Sequence, residues 1–186
     1  ITIDNHARMS GTLPSELGGL SQLGSLSLTG NRRISGSIPG SLGAGPLLVS
    51  LVLGNNDALE GELPAEMGTW DAVQTLYVYQ HARLSGTIPA ELGDMASLLN
   101  LRVYSNLRLS GSLPASVGQL QALTYFQLSD QPVMSGELPL SFYNLSALQT
   151  LNFDGPMGIS GTISSQIGAM RALTYITIDK HARMSG

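Results

Sequence analysis

The chain contains no cysteine, which excludes disulfide bonds, a thiol nucleophile and a cysteine-ligated metal site. Charge is also scarce, because Asp, Glu, Lys and Arg make up 12% of the 186 residues, about half the usual share for a soluble domain. Nine Lys and Arg residues and a net charge of −4 exclude the basic stripe of a nucleic-acid binder. No apolar run reaches the roughly 18 residues of a membrane-spanning helix.

Glycine, by contrast, recurs with a constant period of 25. Serine precedes each repeat glycine except at Glu60, and proline stands three residues later except at Ser164. A second glycine follows seven residues after the first, except at Tyr143. Self-similarity at this period predicts a solenoid of stacked coils that bury a continuous core. The repeat glycines are Gly11, Gly36, Gly61, Gly86, Gly111, Gly136, Gly161 and Gly186.

Each coil combines two local patterns. Alternation in Leu26-Ser27-Leu28 predicts a short strand with one buried face. The apolar spacing over residues 13–23 predicts a helical or 3₁₀ turn, which Pro14 suits at its start and where Gly18 permits a close turn. We therefore expect strand, turn, short helical segment and turn in every coil, with the strands of successive coils forming a parallel sheet.

These segments resemble the leucine-rich repeat of the plant-specific type. The stretch from Leu84 to Gly93 reads L-S-G-T-I-P-A-E-L-G, like the end of the family pattern L-x-x-L-x-L-x-x-N-x-L-S-G-x-I-P-x-x-L-G. The resemblance covers the whole chain. It implies an α/β repeat solenoid with a parallel sheet on the concave face, 3₁₀ or short helices on the convex face, and short second strands at segments such as Gly11 to Pro14.

Two departures from the family pattern carry expectations. The period is 25 rather than the family's 24. The family's asparagine position, where the side chain bonds the backbone inside the turn, varies here, and Pro156 has no side-chain donor or acceptor, so we expect a local distortion near it. The three histidines at this position stand three or four coils apart, too far for a shared metal ion. The position reads His6, Asn31, Asn56, His81, Asn106, Gln131, Pro156 and His181.

The ends of the chain carry no recognisable cap. Segments 1–11 and 176–186 differ at a single position, and family ectodomains have terminal caps that repeat arrays need for solubility. We interpret residues 1–186 as one uncapped solenoid of about seven 25-residue repeats, a fragment of a longer array.

Enzymatic activity is not expected. The sequence has no phosphate loop, no G-x-S-x-G and no H-E-x-x-H motif. Glu60 and Glu62 would need a partner carboxylate across a cleft for glycoside chemistry, and an insertion-free solenoid offers none. No cofactor or metal is predicted.

The exposed positions of the strands supply the ligand-binding candidates, which are Tyr77, Tyr79, Arg102 and Tyr104 on neighbouring coils. Tyrosine and arginine are enriched in binding hot spots, although tyrosine is also common on half-exposed strands. A column of arginines is a second candidate, for contact with an anion or glycan. Stacked like charges repel each other, and an anionic partner would relieve that repulsion. The alternative is that the aliphatic parts of the arginine side chains pack over the turn. That column is Arg8, Arg33, Arg83, Arg108 and Arg183.

Two weaker features complete the surface. Rows of hydroxyls, such as Ser85 and Thr87, accompany the second strands and could order ice, although Glu60, Glu62 and Glu137 interrupt them. Asn144-Leu145-Ser146 is an N-x-S/T sequon, so Asn144 is a glycosylation candidate if the protein is secreted.

The leading functional hypothesis is a non-catalytic recognition module, extracellular or at the cell surface, that binds a protein, peptide or glycan on its strand face. The alternative is a structural component that self-associates end to end in a fibre, wall or surface coat. Ice binding is the third hypothesis. No nucleic-acid partner and no membrane span are expected.

Overall fold

The computed structural model describes residues 1–6, 8–179 and 184–185. Strands alternate between two positions within the coil. In chain order they are β1 (Thr2–Asp4), β2 (Ser10–Thr12), β3 (Ser25–Thr29), β4 (Arg33–Ser35), β5 (Ser50–Gly54), β6 (Glu60–Gly61), β7 (Thr75–Tyr79), β8 (Arg83–Leu84), β9 (Asn100–Tyr104), β10 (Ser110–Gly111), β11 (Tyr125–Ser129), β12 (Val133–Glu137), β13 (Thr150–Phe153), β14 (Gly158–Thr162), β15 (Tyr175–Ile178) and β16 (Met184–Ser185).

The odd-numbered strands form one parallel sheet of eight strands, in sequence order from β1 to β15. Each residue pairs with the residue one period away, so Leu51 lies between Leu26 and Leu76. The leucines point inward and stay buried, while the alternate positions form an exposed face, as the strand pattern predicts. We call this sheet the main sheet.

The even-numbered strands form the predicted second set of short parallel pairings, but they begin before the repeat glycine and end before the proline position, so they are shifted N-terminal to the expected segment from Gly11 to Pro14 and its equivalents. They group as β2-β4, β6-β8 and β10-β12-β14-β16, and single bridges, Gly36 to Leu59 and Thr87 to Ser110, connect the groups. Their register differs from that of the main sheet, because Glu60 pairs with Arg83 rather than with Ser85, which stands one full period later.

Six 3₁₀ helices connect the short strands to the main sheet in the described residues. Pro14 adopts φ −72° and ψ 139° immediately before the first helix, so proline precedes the helix and does not belong to it. The helices are Ser15–Gly19, Ala65–Thr69, Ala90–Asp94, Ala115–Gln119, Leu140–Asn144 and Ser165–Ala169.

In three coils the second glycine has a different role from the one predicted. Gly18, Gly93 and Gly118 lie in the 3₁₀ helices, and a Cβ at any of them would collide with the backbone carbonyl of a serine in the next coil. These glycines therefore permit the close approach of neighbouring coils rather than a tight turn.

A ladder of asparagine side chains joins the coils inside the turn. Asn31 donates from Nδ2 to the carbonyl oxygen of Ile3 at 2.6 Å and accepts the His6 N–H at 3.1 Å. The residue just before each ladder position from His6 to Pro156 has a φ between +49° and +82°, a left-handed conformation that Gly and Asn adopt most easily. This second column was not anticipated from the sequence; it is Asn5, Gly30, Asn55, Gln80, Ser105, Asp130 and Gly155.

The structure contains the expected distortion near Pro156. Strands β11 and β13 share three residue pairs, against five between β7 and β9. Gln131, one coil earlier, is fully buried, and neither polar atom of its amide has a hydrogen-bond partner among the described residues. In the ladder each side chain bonds the backbone of the preceding coil, so Pro156, which has no side-chain acceptor, cannot receive the backbone N–H of Gln131.

Candidate functional site

The four ligand-binding candidates occupy two neighbouring strands of the main sheet. Tyr77 and Tyr79 lie on β7, and each pairs in register with a candidate on β9: Tyr77 with Arg102, and Tyr79 with Tyr104. All four side chains are half-buried. The strand register therefore brings together the residues selected from the sequence.

Arg102 is held between two tyrosine rings. Its guanidinium carbon lies 4.7 Å from the ring centroid of Tyr77 and 4.4 Å from that of Tyr125, within the range of a cation–π interaction. Among the described residues no carboxylate forms an ion pair with Arg102, and its buried Nε has no hydrogen-bond partner. The rings thus fix the orientation of the guanidinium without neutralising its charge.

The two other candidates form a stacked pair. The rings of Tyr79 and Tyr104 are 4.8 Å apart and 8° from parallel. Tyr79 lies flat over Gly54 on the preceding strand, where a Cβ would collide with the ring. Burial raises the pKa of both hydroxyls, and the charge of Asp4 contributes to the rise at Tyr79. Both phenols therefore stay neutral donors at physiological pH.

Two further side chains extend the site beyond the sequence prediction. Tyr125 begins β11, and its ring is the second of the two rings that contact the Arg102 guanidinium. Asn152 on β13 has a buried Oδ1 with no hydrogen-bond partner among the described residues. Tyr125 could have been found from the sequence, because the period of two places residue 125 on the same face as Gln127; Asn152 could be placed on the face but its unpaired atom could not be foreseen.

The arginine column is less regular than its spacing suggests. Arg8, Arg33, Arg83 and Arg108 are exposed, whereas Arg183 lies outside the described residues. Because of the shifted register, Arg83 stands beside Glu60, and Nη1 is 3.8 Å from a carboxylate oxygen. Glu60 therefore relieves part of the repulsion expected along this column.

The serine row beside the repeat glycines has a structural role. Ser85 donates its hydroxyl proton to the carbonyl of Gly61 at 3.2 Å, and Ser110 donates to Gly86 at 3.0 Å. Ser35 and Ser160 make equivalent, longer bonds to the preceding coil. Hydroxyls that bond to the backbone are less available to order a water lattice, so nothing in this geometry favours ice binding.

His81 behaves as the predicted ladder residue. It is fully buried. Its two ring nitrogens lie 3.2 Å from the carbonyl oxygens of Asn56 and Leu53. Its backbone N–H donates to Asn106 Oδ1 at 3.2 Å. His6 donates its N–H to the ladder, whereas His181 lies outside the described residues. Within the described ranges no three His, Asp or Glu side chains are grouped so as to hold a metal ion.

Asn144 and Ser146 of the sequon are both exposed. Asn144 is the last residue of a 3₁₀ helix, on a different part of the coil from the main sheet. A glycan on Asn144 would therefore leave Tyr77, Tyr79, Arg102 and Tyr104 accessible. Helices in the described part of the chain are all too short or too polar to cross a bilayer.

Solved structures provide the similarity to known proteins. No protein-family sequence model and no curated protein sequence matches the chain. The plant peptide hormone receptor RGFR1 in complex with RGF2 is 31% identical over 94% of this chain and 27% of its own, with a TM-score of 0.84. A TDR receptor is 30% identical over 95% of this chain and 30% of its own, with a TM-score of 0.86.

A third similar structure is the Arabidopsis receptor kinase HAESA in complex with the peptide hormone IDA and the co-receptor SERK1. It is 27% identical over 92% of this chain and 28% of its own, with a TM-score of 0.81. The chain spans less than a third of the length of each of these three proteins. With its parallel main sheet, its 3₁₀ helices and these structural relatives, the chain is a leucine-rich repeat solenoid that resembles the plant-specific extracellular type.

Proposed function

We propose that the exposed face of the main sheet binds a peptide or an extended segment of a protein. The observation that carries this proposal is Arg102, an uncompensated guanidinium held between Tyr77 and Tyr125 beside the Tyr79–Tyr104 stack. A cation fixed by neutral rings is ready to receive an acidic group, while the stacked rings offer flat apolar area. The bound segment would therefore carry a carboxylate close to an aromatic or aliphatic side chain.

Three of the similar structures support a peptide over a glycan. RGFR1 and HAESA are described as complexes with RGF2 and with the peptide hormone IDA, and the ectodomain of the receptor kinase GASSHO1/SCHENGEN3 is described in complex with CASPARIAN STRIP INTEGRITY FACTOR 2. We infer an extracellular or cell-surface location for this chain on the same ground. The exposed sequon at Asn144 is compatible with that location.

A random peptide library displayed on phage tests the proposal without a known ligand. Peptides selected on the wild-type chain should be enriched in acidic and aromatic residues. Their affinity should fall at least tenfold for the Arg102→Ala variant, because a charged group lost from a desolvated contact costs more than about 1.4 kcal/mol. The fourfold alanine variant of Tyr77, Tyr79, Arg102 and Tyr104 should not bind them measurably.

A control removes an arginine away from these four residues. The variant Arg171→Ala removes an exposed arginine outside the strands of the main sheet and should leave the affinity unchanged. Circular dichroism should show that all variants remain folded. Equal binding of the selected peptides to wild type and to the fourfold variant would place the ligand elsewhere.

A further inference from the structure

Charge on the exposed side of the main sheet changes sign along the solenoid. Arg102 lies on β9, and acidic residues follow the ends of the next three strands of this sheet: Asp130 after β11, Asp154 after β13 and Asp179 after β15. The ion pairs of the described residues join Arg32 with Asp57 and Arg83 with Glu60, so none of them includes Arg102 or these three acids. The face is therefore positive at β9 and negative beyond β11.

Two of these carboxylates each contact Gly155. The Asp130 carboxylate lies directly over Gly155, where a Cβ would collide with its Oδ1. The Gly155 N–H donates to Asp154 Oδ1 at 2.7 Å, and the Asp130 N–H donates to the Asp154 carbonyl oxygen at 3.0 Å. The missing side chain at residue 155 thus lets both acidic side chains gather beside one backbone group. We call these two residues the aspartate pair.

No positive charge of the described residues neutralises the aspartate pair. The Ser105 hydroxyl donates to Asp130 Oδ2 at 3.4 Å, and that bond and the one from Gly155 both come from uncharged donors. No third acid or histidine joins them into a metal-binding group among the described residues, so the complement that fits is an ammonium or a guanidinium.

The strand register gives the distance between the aspartate pair and Arg102. Arg102, Gln127 and Asn152 lie in one row across β9, β11 and β13, and Asp154 follows Asn152 by two positions along the chain. With about 4.8 Å between strands and about 3.3 Å per residue, Arg102 and Asp154 are about 12 Å apart. An extended segment covers that distance in about three or four residues.

We propose, on the basis of the proposed function, that the bound peptide carries two opposite charges in a fixed order along the face. Its carboxylate contacts Arg102, and a lysine or arginine side chain about three or four residues away contacts the aspartate pair. A uniformly acidic peptide is attracted by Arg102 but repelled by Asp130 and Asp154. The aspartate pair therefore makes the site specific for a peptide with both charges.

Peptides selected on the wild-type chain test the second charge. They should contain a basic residue about three or four positions from the acidic one. The variant Asp130→Asn/Asp154→Asn keeps the shape of both side chains and should bind these peptides at least fivefold more weakly. Replacement of the peptide's basic residue by alanine should weaken binding to wild type and should have little further effect on this variant.

Exchange of the charges tests their order. The variant Arg102→Asp/Asp130→Asn/Asp154→Arg should bind a peptide in which the acidic and basic residues have been exchanged more tightly than it binds the original peptide. The matched control is Asp71→Asn/Asp94→Asn, which removes the same number of charges at exposed positions outside the strands of the main sheet. It should bind the selected peptides like wild type.

The outcomes separate this inference from the proposed function. If Arg102→Ala loses binding while Asp130→Asn/Asp154→Asn retains it, the aspartate pair has no part in recognition and the inference is overturned, whereas the proposed function stands. Selected peptides without a basic residue at the stated spacing overturn the inference in the same way. If neither variant changes the affinity, both proposals fail.

Discussion

Two residues that break the repeat, Tyr143 and Ser164, contact each other. Tyr143 replaces the second glycine of its coil, and Ser164 replaces the proline of the next coil. The Ser164 N–H donates to the Tyr143 hydroxyl at 3.0 Å, a bond that proline could not form. The sequence alone shows two unrelated exceptions, because Tyr143 and Ser164 are not separated by a whole repeat period. The two departures from the repeat are therefore coupled by a direct hydrogen bond.

Removal of the Tyr143 hydroxyl tests this match. Tyr143→Phe should lower the free energy of unfolding by about 1 kcal/mol, because the Ser164 N–H loses its partner. In the Tyr143→Phe background, Ser164→Pro should cost less than it does in the wild type, since no hydrogen bond is left to break. Urea denaturation of the four chains gives the coupling; additive effects would show that the bond contributes nothing.

At the scale of the structural element, residues 36–49 lack the 3₁₀ helix that the other described coils contain. This segment is rich in glycine, and Trp70 of the following coil packs against it. A Cβ at Gly43 would collide with the indole ring, and the indole Nε1–H donates to the Gly40 carbonyl at 2.8 Å. The indole of Trp70 therefore packs directly against the segment that lacks the helix.

A substitution at Gly43 should disturb this packing. We expect Gly43→Ala to lower the free energy of unfolding by about 1–3 kcal/mol through overpacking. The effect should be smaller when Trp70 is replaced by leucine, the residue at this position in several other coils. Guanidinium denaturation of the single and double variants measures the difference. A cost unaffected by Trp70→Leu would mean that the collision with the indole ring is not its cause.

We expect His81 to make the stability of the fold pH-dependent. Burial lowers its pKa below the usual value near 6.5, although the carbonyls of Asn56 and Leu53 oppose part of that shift. The unfolded chain therefore takes up a proton more readily than the folded chain, so stability should fall as the pH drops below about 6.5. The variant His81→Asn, which restores the family's ladder residue, should reduce this slope. Denaturation of both chains between about pH 5 and pH 8 gives the comparison, and equal slopes would assign the dependence to other groups.

At the scale of the whole molecule, the repeat was predictable and the cross-coil contacts were not. One constant period accounts for the main sheet, the short strands and the 3₁₀ helices outside residues 36–49, because each coil has the same few hydrophobic positions. The clustering of Tyr77, Tyr79, Arg102 and Tyr104 follows from that register. The contact of the Tyr125 ring with Arg102 depends on side-chain direction between coils, which periodicity does not specify.

Glycosylation at Asn144 is also a property of the whole molecule, since it depends on passage through a secretory pathway. In a eukaryotic secretion host the chain should acquire one N-linked glycan, because the sequon is exposed. Mass spectrometry should show that Asn144→Gln and Ser146→Ala both abolish it. A secreted wild-type chain without a glycan would show that the 3₁₀ helix hinders the transferase.

Trp70 is the single tryptophan of the chain and is buried beside the glycine-rich coil. Its fluorescence therefore reports local order in the N-terminal half, while circular dichroism averages over every coil. Coils of a solenoid interact only with their neighbours, so unfolding need not spread evenly along the rod. Coincident melting curves from the two probes would mean that one cooperative unit extends from Trp70 to the coil interrupted at Pro156, and separate curves would locate the weaker half.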